Sequence, residues 1–92
     1  MKYVLILSDE AKEHLIFWKK SGQKKTIKKI LDLFAELQLH PKIGTGQVEQ
    51  LKGELSGKWS RRITKSDRLI YTIEDDKVYV VVISLKGHYS DK

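Results

Sequence analysis

The stretch that decides the fold is WSRRITKSDRLIYTIEDDKVYVVVISL, at residues 59–85. Polar and apolar side chains alternate over Trp59–Thr64 and again over Arg68–Glu74, and a period of two is typical of β-strands. The third segment, Lys77–Leu85, is rich in β-branched residues and apolar on both faces, so we expect it to be a central strand. Short turns rich in Asp and Ser separate the three segments. The stretch therefore predicts a meander of strands, which a further short strand around Val48–Lys52 could extend.

Two amphipathic helices are predicted upstream of this meander. The first is capped by Ser8, runs to about Lys20 and stops at Gly22, because glycine readily adopts the left-handed backbone of a helix end. The second covers about Lys24–Leu39 and ends before Pro41. Each helix has one apolar face, formed by Ala11, Leu15 and Trp18 in the first and by Ile27, Ile30, Leu31, Phe34 and Leu37 in the second.

The short apolar run Tyr3–Leu7 precedes the helices and predicts a buried strand. Because the link between the helices is short, they should pack as an antiparallel pair. Helices that are separate from strands along the chain favour the α+β class, with two antiparallel helices packed on one face of a mainly antiparallel sheet. The 92 residues should form a single domain over residues 1–92 that is too small for a large enclosed cavity.

The composition excludes several classes of site. There is no cysteine, which rules out disulfides, zinc–cysteine sites and thiol catalysis. The three histidines show no clear ligand spacing, so we expect no metal and no cofactor. No apolar run approaches the ~20 residues of a membrane span, and the N-terminal run does not resemble a signal peptide. We therefore expect a cytoplasmic protein with no membrane partner.

The basic excess indicates an anionic partner. Lys and Arg total 18 against 12 acidic residues, which gives a net charge of +6 and a pI near 9.6. Lysines on the two predicted helices are most simply interpreted as a solvated surface. The segment Lys42–Arg68 holds seven basic and three acidic residues, a net charge of +4. Its arginines have planar forks that suit phosphate, but adjacent Arg61 and Arg62 must point to opposite faces of a regular strand.

Cleaving RNA without a metal requires a base for the 2′-hydroxyl, a cation for the phosphorane and an acid for the departing 5′-oxygen. Glu49, Arg68 and His88 supply these residue types on separate segments of the chain. Composition does not show whether they converge. On these residues alone, a basic RNA- or DNA-binding domain is favoured over a nuclease.

A longer motif covers the basic segment. It consists of GTGQVEQLK at residues 44–52, LSGKWSRRIT at residues 55–64 and RLIY at residues 68–71, followed by Gly87-His88-Tyr89. In these residues, and in the order of its predicted elements, the chain resembles the Txe/YoeB toxin family of the RelE/ParE superfamily.

This resemblance implies a RelE-like, microbial ribonuclease-like fold and a toxin of a type II toxin–antitoxin system. Such a toxin is a metal-independent endoribonuclease that enters the ribosomal A site and cuts mRNA, which inhibits translation. Attack by the neighbouring 2′-hydroxyl should leave a 2′,3′-cyclic phosphate. An antitoxin of the YefM/Phd type would neutralise it, and the family likeness is compatible with a homodimer.

The resemblance also implies roles for individual residues. Glu49 would be the general base, Arg68 the clamp on the transition state and His88 the general acid. Tyr89 would position a nucleotide or stack on it. Three further residues would bind RNA phosphates or shape the site, namely Lys52, Arg61 and Arg62.

Two other functions stay open at this point. A ParE-like toxin that targets DNA gyrase would share the fold and charge, but it would not need a glutamate, an arginine and a histidine together. A basic nucleic-acid-binding module without catalysis is the second alternative. Either Arg61 or Arg62 could also pair with Glu49 instead of touching RNA, whereas Trp59 and Tyr71 are expected in the core.

Overall fold

A computed structural model describes residues 2–87, so His88 and Tyr89 lie outside the described residues. Within this range the chain forms a mixed sheet with the strand order β1-β5-β4-β3-β2. The strands are β1 (Val4–Leu7), β2 (Glu49–Gln50), β3 (Trp59–Arg62), β4 (Arg68–Glu74) and β5 (Tyr79–Ser84). The helices α1 (Asp9–Ser21) and α2 (Lys24–Leu39) lie between β1 and β2 in the chain, and single turns of 3₁₀-helix occupy Gly53–Leu55 and Asp75–Lys77.

The helix α1 begins and ends where the sequence predicts. The Ser8 hydroxyl accepts a hydrogen bond from the Ala11 backbone N–H at 3.0 Å, and this satisfies one of the free donors of the first turn. Gly22 closes the helix in the left-handed region, with a φ of 74°. Acidic residues in the first turn and lysines in the last complement the helix dipole.

The helix α2 has the predicted bounds but a slightly rotated apolar face. Ile30, Leu33 and Leu37 are fully buried, whereas Leu31 is 51% exposed. The prediction that Leu31 lies on the buried face is therefore wrong. Successive residues of a helix are about 100° apart around its axis, so Leu31 points away from the side on which Ile30 is buried. Leu33 takes its place in the core.

The core lies between the two helices and one face of the sheet. Leu69 and Tyr71 of β4 and Val80 and Val82 of β5 are fully buried in one cluster with helix residues. The alternate residues of these strands, such as Arg68 and Ile70, must face the other side. We call this second side the open face. The predicted α+β arrangement, with both helices on one face of a mainly antiparallel sheet, is confirmed.

The strand β1 is an edge strand and is not buried as predicted. It pairs with β5 in parallel, with Val4 opposite Tyr79. Its helix-facing residues pack on the core, but Val4 and Ile6 are 54% and 38% exposed. The apolar run of β1 therefore corresponds to a strand that is buried only on the face toward the helices. β5 is an interior strand, paired with β1 on one side and β4 on the other, which agrees with its β-branched sequence.

No helix in residues 2–87 combines the length and apolar character needed to cross a lipid bilayer.

Candidate functional site

Four polar residues lie close together on the open face, at the end of the sheet formed by β2, β3 and β4. Glu49 is directly opposite Ser60 across β2 and β3, and Arg62 is directly opposite Arg68 across β3 and β4. Directly opposed residues have Cβ atoms about 4.5–5.5 Å apart, and diagonal neighbours such as Glu49 and Arg62 remain within reach of long side chains. The sheet thus brings the predicted base and the predicted phosphate clamp to one small area.

Buried polar atoms without a hydrogen-bond partner within the described residues occur in this area. Among them are the Oγ of Ser60, a residue that is fully buried, and the Nε of half-buried Arg62. Buried polar groups nearly always have partners, so an unsatisfied guanidinium donor marks a place where an anion would be stabilised. Arg62 and Arg68 also bring two positive charges side by side, which favours a ligand of negative charge.

Arg61 lies on the opposite face of the sheet and is fully buried. Its Nη1 donates to Glu36 Oε1 at 2.8 Å, and its Nη2 donates to the backbone carbonyls of His40 at 2.7 Å and Ile43 at 2.9 Å. Its Nε donates to the Tyr71 hydroxyl at 3.3 Å. The guanidinium is enclosed by protein acceptors and has no access to a phosphate in this arrangement. The sequence predicts that Arg61 either binds RNA phosphates or shapes the site, with Glu49 as a possible partner. In this arrangement its guanidinium pairs with Glu36 instead of Glu49.

The Arg61 contacts perturb the pKa values of two neighbours. Burial by itself raises the pKa of Glu36, but hydrogen bonds from the Thr45 hydroxyl and backbone N–H, together with the Arg61 charge, outweigh it and lower that pKa. Burial raises the pKa of Tyr71, although Arg61 acts in the other direction. At neutral pH the carboxylate is therefore charged and the phenol neutral, which suits the hydrogen bond that Tyr71 donates to the Pro41 carbonyl at 2.6 Å.

The same contacts fix the loop that leads into β2. Gly44 packs so closely that an added Cβ would lie 2.5 Å from Glu36 Oε1 and 2.8 Å from Arg61 Nη1. The next glycine, Gly46, accepts a hydrogen bond from the Arg62 backbone N–H through its carbonyl. The loop is thereby joined to both arginines of β3, three residues before Glu49. The buried Arg61 supports the part of the chain that carries the candidate base.

The end of the described chain lies beside Arg68. The Arg68 backbone N–H donates to the Gly87 carbonyl at 2.9 Å, and the Gly87 N–H donates to Asp67 Oδ1 at 2.7 Å. The predicted residues His88 and Tyr89 follow immediately in sequence and lie outside the described range.

An open groove of about 230 Å³ adjoins this area. Ile70, on the same strand face as Arg68, forms part of its wall together with Gly87. Lys58 and Lys86 supply cationic groups to the lining, and Glu10 supplies a carboxylate. An apolar wall with two lysines suits a nucleotide, which has an apolar base and an anionic phosphate. Exposed Lys52, the remaining predicted cation, lies two residues after β2.

Among residues 2–87 there is no cluster of three or more His, Asp or Glu side chains that could hold a metal ion.

A sequence model of the YoeB-like toxins of bacterial type II toxin–antitoxin systems matches residues 7–89. This chain belongs to the YoeB-like toxin family. The YoeB toxin of Escherichia coli K12 is 38% identical over 85 residues, which is 92% of this chain and 98% of the relative. The resemblance found in the sequence motifs is confirmed.

Solved structures of YoeB-like toxins share the fold. A YoeB/ParE toxin from Agrobacterium tumefaciens has a TM-score of 0.87 and 31% identity, over 94% of this chain and 99% of that one. A YoeB dimer from Staphylococcus aureus has a TM-score of 0.83 and 32% identity, over 97% and 100% of the two chains. YoeB from the same organism has also been solved in a heterotetrameric complex with YefM.

Some residues that shape the site of this YoeB-like chain were not found by sequence reasoning. Glu36 lies on α2 and was not considered, although it is the carboxylate that pairs with Arg61. Asp67 was interpreted only as a turn residue, although its carboxylate binds Gly87. Arg61 could have indicated Glu36. An arginine on the buried face of a strand requires an anionic partner nearby.

Proposed function

We propose that this YoeB-like toxin is an endoribonuclease that cuts mRNA on the ribosome without a metal cofactor. The observation that carries the proposal is the placement of Glu49, Arg62 and Arg68 at neighbouring positions of one open sheet face. A carboxylate beside two guanidinium groups offers a proton acceptor and a phosphate clamp at the same place. An open groove lined in part by Ile70 and Gly87 lies near Arg68.

In the proposed reaction, Glu49 takes the proton from the 2′-hydroxyl, and the resulting oxygen attacks the adjacent phosphorus. Arg68 and Arg62 stabilise the charge that develops on the phosphorane oxygens. His88 gives a proton to the 5′-oxygen as the phosphorus–oxygen bond breaks, which leaves a 2′,3′-cyclic phosphate on the upstream product. Tyr89 positions a nucleotide, and Lys52 binds phosphate outside the reacting centre.

The position of Gly87 supports the role assigned to His88. Gly87 is hydrogen-bonded to the backbone of Arg68, and adjacent Cα atoms are about 3.8 Å apart along the chain. Gly87, which directly precedes His88 in the sequence, is therefore held close to the proposed phosphate clamp. In-line attack requires a base, a cation and an acid that act at one phosphate, and this proposal assigns these roles to Glu49, Arg68 and His88.

A substrate without the nucleophile tests the chemistry. Replacing the 2′-hydroxyl at the cut site with hydrogen should abolish cleavage of ribosome-bound mRNA while binding stays nearly unchanged. Glu49→Gln should slow single-turnover cleavage by about 10²–10⁴-fold, the usual contribution of general acid–base catalysis. Glu54→Gln, in the exposed turn of the same connection, is the matched control and should keep full activity. Cleavage of the deoxy-substituted message at the normal rate would overturn the proposed function.

The ribosome should be required because an open, shallow site does little by itself to bend RNA for in-line attack. Ribosome-bound mRNA should be cut well and isolated RNA poorly. Transition-metal chelation that leaves ribosomal magnesium in place should not reduce the rate. Equal rates on bound and free RNA, or loss of activity on chelation, would contradict this part of the proposal.

The inhibitory partner is proposed to be an antitoxin of the YefM type, as in the complex of the S. aureus relative. An acidic, partly disordered segment of the antitoxin would fold over the open face and neutralise its arginines. A homodimer is also proposed, after the S. aureus YoeB dimer. Titration with the antitoxin should stop cleavage, and the association rate should fall as salt rises.

A further inference from the structure

The described chain ends in a segment that is held from two sides. After β5, the backbone N–H of Leu85 donates to His14 Nδ1 at 3.0 Å, and the Leu85 carbonyl accepts from Trp18 Nε1 at 2.9 Å. Both partners belong to α1. They fix the backbone at Leu85 against the helical layer.

Two residues later, the turn between β3 and β4 holds the chain. Gly87 donates its N–H to Asp67 Oδ1 at 2.7 Å and accepts from the Arg68 N–H at 2.9 Å. The second carboxylate oxygen of Asp67 accepts from the Thr64 hydroxyl at 2.7 Å, so the carboxylate is itself oriented by the turn. Asp67 thus joins the turn that presents Arg68 to the backbone that leads to His88.

The backbone conformation of Gly87 depends on its hydrogen bonds to Asp67 and Arg68. Its φ of 82° lies in the region that L-residues rarely adopt, and an added Cβ would meet no atom of residues 2–87 within 4 Å. The hydrogen bonds to Asp67 and Arg68 hold Gly87 in this conformation, which glycine adopts at little cost.

We propose that Asp67 is a positioning residue for RNA cleavage. Its carboxylate holds Gly87, the residue before the proposed general acid His88, beside the phosphate clamp Arg68. The inference rests on the proposed function and adds a residue to it. A misplacement of about 1 Å can cost about 10²-fold in rate, so a single carboxylate remote from the RNA can have a large catalytic effect.

The test compares two substitutions at one position. Asp67→Ala removes both hydrogen bonds of the carboxylate. Asp67→Asn keeps an oxygen that can accept from Gly87 and an amide that can donate to the Thr64 hydroxyl. In single-turnover cleavage of ribosome-bound mRNA, Asp67→Ala should be about 10–100-fold slower with unchanged ribosome affinity, and Asp67→Asn should be near wild type. Asp76→Ala, in the exposed turn before β5, is a control that should keep full activity.

A sulfur leaving group separates acid positioning from general damage. A message with sulfur in place of the 5′-bridging oxygen releases a thiolate, which leaves without being protonated. His88→Ala and Asp67→Ala should both recover most of their lost rate on this message, whereas Glu49→Gln should stay slow because the 2′-hydroxyl still needs a base.

The outcomes distinguish this inference from the proposed function. If sulfur rescues His88→Ala but leaves Asp67→Ala slow, Asp67 does not act through the acid and the inference is wrong, while the proposed function stands. A fold defect in Asp67→Ala would also slow both messages equally and overturn it. If the wild-type protein does not cleave the ordinary message, the proposed function fails and the inference fails with it.

Discussion

Arg61 and Arg62 are adjacent in the chain and have opposite environments. Arg61 is fully buried and donates to side-chain and backbone oxygens of five residues, whereas Arg62 lies on the open face opposite Arg68. A strand places successive side chains on opposite faces, so one residue supports the fold and its neighbour is available to a ligand. The two roles can be separated by the same conservative substitution at each site.

Arg61→Lys should lower the free energy of unfolding by about 2–4 kcal/mol. A single ammonium group does not reach the acceptors that the planar guanidinium holds, and buried carbonyls such as those of His40 and Ile43 lose their partners. Arg62→Lys should change stability by less than about 0.5 kcal/mol and should instead weaken RNA cleavage. Urea denaturation with equal m-values measures the first effect. Equal stability of the two variants would contradict the structural role of Arg61.

Among residues 2–87, Val78 is the β-branched residue whose backbone has a positive φ. Its φ of 57° and ψ of 42° place it in the left-handed region, at the end of the turn that leads into β5. Asparagine tolerates this region far better than valine, so Val78→Asn should stabilise the protein by about 1 kcal/mol and raise Tm by about 4–8 °C. Thermal unfolding followed by circular dichroism measures the change. Val48→Asn, at a half-buried valine with negative φ, is the control and should give no increase.

At the scale of elements, the loop between α2 and β2 depends on a charged carboxylate. The pKa of Glu36 is lowered in the folded protein, so its stabilising effect is complete above the usual value of 4.5 and is lost as the pH falls through the lower folded value. The free energy of unfolding should therefore decrease below about pH 4.5. Glu36→Gln should be less stable at pH 7 and less sensitive to acid.

Equilibrium unfolding between neutral pH and pH 3 checks this expectation. Glu13→Gln, at an exposed position of α1, should keep the wild-type profile. Some acid sensitivity should remain in Glu36→Gln, because the hydrogen bond from Tyr3 and the nearby Lys42 also lower the pKa of Asp75. An unchanged slope in Glu36→Gln would show that the loop does not depend on the carboxylate charge.

The elements that sequence patterns predicted well are those whose periodicity extends over several residues. The bounds of α2 and β4 agree with the structure, because a long amphipathic stripe and a seven-residue alternation leave little freedom. The edge position of β1 was missed, since four apolar residues look alike in an edge strand and a buried one. The placement of Glu49 near Arg68 could not be derived from composition, because it depends on the register of β2 on β3 and of β3 on β4.

At the scale of the whole molecule, the net charge is concentrated in the helical layer. Residues 19–29 contain six lysines and no acidic residue, so the charge of this segment alone equals the formal net charge of +6. Basic and acidic residues are equal in number over the rest of the chain. The described lysines of this segment are exposed or half-buried, at the end of the helix pair around Gly22.

Neutralising part of this segment should change how the toxin associates with ribosomes. The association constant should fall as salt rises, because lysines that approach RNA phosphates release bound counterions. The double variant Lys24→Gln/Lys25→Gln should reduce the slope of log K against log salt by up to about 2. A double variant at Lys12 and Lys77, outside the segment, is the charge-matched control. Equal slopes for both double variants would mean that net charge matters and its location does not.

The pairing of β1 with β5 has a consequence for the time at which the protein becomes complete. Val4 and its partner Tyr79 are 75 positions apart, so the first strand is made long before the strand that receives it. At a synthesis rate of about 5–20 residues per second, β1 waits about 4–15 s for its neighbour. Until then the parallel edge of the sheet cannot form, and α1 lacks the β5 surface on which it packs. While a ribosome is still elongating this chain, the chain that it carries is therefore not completely folded.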